Sequence, residues 1–87
     1  MSTQEMVKDL VIGFVKRTLP ELKYEEIDTS KSMKDLGATS IDVLEIVSAS
    51  MKRLEVQVPR HLLNELTNMH DLIEMLSKIY DDEKQTA

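Results

Sequence analysis

The chain has 87 residues, 41% hydrophobic and 31% charged, a balance that supports one small globular domain and argues against wholesale disorder. It contains no cysteine, which excludes a disulfide framework, an iron–sulfur cluster and a thiolate metal site. The formal charge of −5, from 16 acidic and 11 basic side chains, makes a surface that repels nucleic acid backbones. No apolar run approaches membrane-spanning length and no leader with a cleavage signal is present, so the expected location is the cytoplasm, with no membrane partner.

The first helix begins near Ser2, with Glu5 in position to complete a capping box, and sets Val7, Leu10, Val11, Phe14 and Val15 on one face. Thr18-Leu19-Pro20 ends it. From Glu21 to Ala38 the periodicity fades and polar residues dominate, which predicts a long loop anchored by Leu22, Ile27, Met33 and Leu36.

At the end of that loop stands Asp35-Leu36-Gly37-Ala38-Thr39-Ser40-Ile41-Asp42. Gly37 permits a positive φ where the chain reverses. Thr39 and Asp42 have capping-box spacing, which puts Ser40 at the first helical position. An anionic ester formed on Ser40 meets the orphan amides and the positive end of the helix. Taken alone, a serine in this position reads as a cap residue. Nucleophilic catalysis needs a base within reach, and His61 and His70, the two histidines, have no triad-like context. An intrinsic hydrolase or transferase is therefore not expected, and both histidines read as solvated residues. No stretch has the spacing of a calcium loop.

The second helix is expected from about Ser40 to Leu54, with Leu44, Val47, Met51 and Leu54 as its core stripe, widened by Val43 and Ile46. Ile41 is open to more than one reading: a contact at the mouth of the bundle for a partner or bound group, or a packing residue of the first turn. Val56-Gln57-Val58 alternates but is too short for a strand, and Pro59 blocks extension, so it reads as an extended linker. A short helix from about Arg60 to Leu66 follows, with Leu62, Leu63 and Leu66 as its apolar contacts. Asn68 and Asp71 cap the last helix, whose inward stripe is Met69, Leu72, Ile73, Leu76, Ile79 and Tyr80. Residues 81–87 have nothing to bury and are expected to fray. Of the six methionines, Met33, Met51 and Met69 fall towards the core. The expected fold is all-α: a small four-helix bundle in a single domain, 1–87, with three main helices, one short helix and a long first loop.

The run Leu36-Gly37-Ala38-Thr39-Ser40-Ile41, continued by Asp42, Leu44, Glu45, Ile46 and Val47, resembles the phosphopantetheine attachment site of acyl carrier and peptidyl carrier proteins. The likeness extends through Val56, Val58 and Pro59 to the final helix. It implies that Ser40 carries 4'-phosphopantetheine, that a phosphopantetheinyl transferase installs the arm from coenzyme A, and that acyltransferases, ketosynthases or related acyl-processing enzymes use it. Thr39 departs from the family's usual aspartate, removing a charge beside the serine. Ile41, Asp42, Glu45 and Thr39 are then the expected docking residues. Asp81, Asp82 and Glu83, at the far end of the chain, read as ordinary solvation.

Lys52 and Arg53 close the second helix, and Arg60 and His61 follow, where carriers of primary fatty acid synthesis are usually acidic. The resemblance is thus to a discrete carrier of polyketide type, expected to be a monomer, while fatty acyl and aminoacyl cargo stay open. The same residues also admit a different class of function. In that reading the protein is a helical adaptor whose Ser40 is never modified and whose acidic patch docks other proteins.

Overall fold

The computed structural model describes residues 2–59, 61 and 68–85. Three main helices appear in chain order: α1, Thr3–Thr18, α2, Ser40–Leu54, and α3, Met69–Gln85. No strand occurs among the described residues. The short helix expected over Arg60–Leu66 lies outside them, apart from His61, which is exposed.

Ser2 caps α1, its hydroxyl accepting the Glu5 amide at 3.2 Å. The spacing of Val7, Val11 and Val15 puts all three on one side of the helix, where they are fully buried. That side packs against both α2 and α3. Ile46, Met69, Ile73 and Leu76 close the same interior. Phe14 and Leu10, expected on the core face, are only half-buried at its margin, and the Arg17 guanidinium lies 5.8 Å from the Phe14 ring centroid.

The buried face of α2 is the expected one at Ile46, Val47 and Leu54, with Val43 and Met51 partly buried beside them, and differs from it at Leu44 and Ser50. Leu44 is 62% exposed, while Ile46, Val47, Ser50 and Leu54 are buried. Ser50 enters the core without an unmet hydrogen bond because its hydroxyl donates to the Ile46 carbonyl at 2.8 Å. Ser77 does the same on α3 through the Ile73 carbonyl, at 2.6 Å. Helical backbone continues past Tyr80 to Gln85, and Thr3 Oγ1 donates to Asp81 at 2.6 Å, tying the start of α1 to the end of α3. The stretch expected to fray is thus helical as far as Gln85.

The long connection between α1 and α2 is ordered by its anchors. Short 3₁₀ turns form at Pro20–Leu22 and Lys34–Leu36. Leu22, Ile27 and Met33 are buried, and Leu36 packs against the core. The loop also supplies acceptors to the start of α3: Met69 N–H donates to the Lys31 carbonyl at 3.1 Å and His70 N–H to that of Thr29 at 2.9 Å. Two first-turn amides that the helix itself cannot satisfy are thereby paired. Ser30 donates its hydroxyl and its amide to Asp28, and these bonds hold the Asp28 carboxyl below the ordinary aspartate range. Asn68 caps α3 through the Asp71 amide at 2.8 Å, as its spacing predicts.

Candidate functional site

The turn before α2 is built in three steps. Gly37 ends the Lys34–Leu36 turn with φ 101°, a conformation that strains any residue with a Cβ although the space beside it is open. Ala38 is buried, and its amide returns to the Met33 carbonyl at 3.1 Å, which fixes the direction of exit. Thr39 is then extended and caps the helix. Its hydroxyl accepts the Asp42 amide at 3.1 Å, and the Asp42 carboxylate accepts the Thr39 amide at 3.0 Å.

Ser40 follows at the first helical position and is exposed. The first main-chain bond of α2 runs from the Val43 amide to the Thr39 carbonyl at 3.0 Å. The amides of Ser40 and Ile41 therefore precede the intrahelical ladder, at the positive end of the helix dipole. Because the Thr39 hydroxyl is engaged in the cap, Ser40 is the hydroxyl this turn offers to solvent. An exposed primary hydroxyl at a positive helix end suits a phosphodiester, so the residues present fit a phosphopantetheine arm.

Ile41 is 70% exposed, Glu45 is exposed, and Asp42 is half-exposed with its carboxylate committed to the cap. Leu44 joins this face, one turn after Ser40, a residue that sequence spacing assigned to the core. Its separation of three from Ile41 and four from Ser40 is the signal that places it with them. His70 lies on the surface of α3, 3.1 Å from Glu74, and the described residues hold no group of acids and histidines fit for a metal ion. No described helix is long and apolar enough to cross a membrane.

Residues 9–76, which contain the whole of this turn, match the family model described as phosphopantetheine attachment site. The chain belongs to that family. An acyl carrier protein of Campylobacter concisus is 32% identical over 79 residues, covering 91% of this chain and 97% of the relative. Another from Campylobacter fetus is 33% identical, covering 84% and 90%. The polyketide biosynthesis acyl-carrier-protein AcpK of Bacillus subtilis is 27% identical, covering 84% and 89%. No solved structure gives a significant match. Phosphopantetheine attachment proteins are carriers without catalytic activity of their own, so this chain is a phosphopantetheine-dependent carrier and not an enzyme. Its partners are those of the family, a phosphopantetheinyl transferase and acyl-processing enzymes.

Proposed function

We propose that Ser40 bears the 4'-phosphopantetheine arm and that the protein, acting as a cytoplasmic monomer, presents acyl thioesters to enzymes of a polyketide or related pathway. The observation that carries the attachment site is the exposed Ser40 hydroxyl at the capped start of α2, inside the matched family region. The arm supplies a terminal thiol on which acyl groups are held as thioesters. The protein's own residues fix where that tether begins and what surface surrounds it, so the substrate is delivered to each partner at high effective concentration.

The polyketide assignment draws on the likeness to the Bacillus subtilis carrier and on charge along α2. Acids lie near Ser40 at Asp42 and Glu45, whereas Lys52 and Arg53 occupy the last turn. Glu45, Lys52 and Arg53 are all exposed, so a partner meets a helix whose sign reverses along its length. Ile41, Asp42, Glu45 and Thr39 frame the serine as the docking surface in this reading.

Intact mass after incubation with coenzyme A and a broad-specificity phosphopantetheinyl transferase tests the attachment. Mass gain located at Ser40 is expected, and an unchanged mass would return the protein to the adaptor reading. Mass analysis of protein recovered from its native host then identifies the cargo, with fatty acyl or aminoacyl groups as the outcomes that overturn the polyketide assignment.

A further inference from the structure

Ser32-Met33-Lys34-Asp35 repeats, seven residues earlier, the spacing of Thr39-Ser40-Ile41-Asp42. It also repeats the bonding. The Asp35 amide donates to the Ser32 hydroxyl oxygen at 3.1 Å and the Ser32 amide to the Asp35 carboxylate at 3.2 Å, as the Asp42 and Thr39 amides do to their own partners at 3.1 and 3.0 Å. The second pair caps α2. The first precedes a single 3₁₀ turn, Lys34–Leu36, and both its residues reach solvent, Asp35 exposed and Ser32 half-buried, so neither burial nor a long helix accounts for it.

Lys31, immediately before Ser32, is fixed to α3 through its carbonyl, which takes the Met69 amide at 3.1 Å. Within the pair, the Met33 side chain is buried and its carbonyl accepts twice, from Leu36 at 3.0 Å and from Ala38 at 3.1 Å. The Ala38 bond sets the direction in which the chain leaves Gly37 and enters Thr39. A planar peptide unit can turn between two fixed Cα atoms, so the buried Met33 side chain does not by itself aim its carbonyl. The reciprocal bonds of Ser32 and Asp35 close around that peptide unit and stop it turning. Ser40 thus lies at the end of a continuous run of hydrogen bonds that starts on α3.

We propose that Ser32 and Asp35 are positioning residues for transfer of the phosphopantetheine arm: their reciprocal bonds aim the Met33 carbonyl, which through Ala38 holds the Ser40 turn in one orientation. Transfer needs the Ser40 oxygen within bonding reach of a phosphorus and in line with it, and a turn already held that way spares the transferase the ordering. Asp35 then acts through its oxygen as an acceptor, and its charge is dispensable. Ser32 carries no charge at all. Positioning and attraction of a partner therefore come apart at this pair, since positioning needs both residues and attraction needs Asp35 alone.

The inference rests on Ser40 as the attachment point, and its test separates the two. Rates of holo formation by a broad-specificity transferase, at saturating coenzyme A, are measured for the full chain and for Ser32→Ala, Asp35→Ala, Asp35→Asn and the Ser32→Ala/Asp35→Ala double variant. Each alanine variant should lower kcat about 5-fold, the factor carried by ordering worth one hydrogen bond, with KM nearly unchanged. The double variant should be no slower than either single one, because the pair acts as a unit. Asp35→Asn should keep the wild-type kcat, since its amide oxygen still accepts. Hydrogen exchange at the Ala38 amide should quicken in the alanine variants and not in Asp35→Asn, while the urea midpoint moves little. Equal losses in Asp35→Asn and Asp35→Ala beside an unaffected Ser32→Ala would make Asp35 a docking charge and overturn the proposal. Absence of an arm at Ser40 in the wild type removes the attachment reading. Normal loading, with equal rates and equal Ala38 exchange in every variant, removes the positioning role alone.

Discussion

Thr39 and Asp42 cap each other, the hydroxyl accepting one amide at 3.1 Å and the carboxylate accepting the other at 3.0 Å. The Asp42 carboxylate thus holds in place the helix start that carries the exposed Ser40. Thr39→Ala should cost about 0.5–2 kcal/mol of stability through loss of the cap. Asp42→Asn should cost less, because the amide oxygen can still accept. A double-mutant cycle by urea unfolding measures their coupling. Independent, additive losses would show that the box is not a unit.

Ser40→Ala should abolish prosthetic-group attachment and leave the helical fold nearly intact. The cap belongs to Thr39, and Ser40 is exposed, so little is removed from the folded state. Paired intact mass and circular dichroism check both halves. Equal holo formation by mutant and wild type would move the attachment site elsewhere.

Docking is better probed at Glu45 than at Asp42, whose reversal would also break the cap. Glu45→Lys should slow transferase modification or acyl loading by weakening encounter, and the rate should then depend less on salt. Ile41→Ala and Leu44→Ala should impair a partner reaction with little change in salt dependence, because they remove apolar contact and no charge. Stopped-flow rates over an ionic-strength series distinguish the two effects. Unchanged rates for all three variants would show that this face is not used.

The helix limits of α2 were legible because their signals are local: a capping box at one end, an apolar period between, and the linker towards Pro59 at the other. The anchors Leu22, Ile27, Met33, Val56 and Val58 were legible too, each an isolated apolar residue in polar surroundings and each buried. The facing of α2 was legible as well, except at Leu44 and Ser50. Ser50 was not in the expected stripe, and only the tertiary arrangement shows a buried serine spending its hydroxyl on its own helix. Leu44 was missed as part of the exposed face beside Ser40, since a leucine at core spacing gives no sign that its side will lack a neighbour. The bond from Thr3 to Asp81 joins residues 78 apart, which no local period encodes.

The exposure of Leu44 changes which truncations matter. Leu76 is fully buried, so Leu76→Ala should cost about 2–5 kcal/mol, a large share of a small domain's stability. Ile46→Ala should fall in the same range, about 2–5 kcal/mol. Leu44→Ala, by contrast, removes an exposed side chain and should stay within about 0.5 kcal/mol. Phe14 lies between these cases: half-buried at the core margin, its truncation should cost about 1–2 kcal/mol, short of the loss for a fully buried ring. Equilibrium urea unfolding, analysed where two-state tests hold, ranks the four. If Leu44→Ala proved as costly as Ile46→Ala, the leucine would face the interior and would not belong to the exposed face beside Ser40.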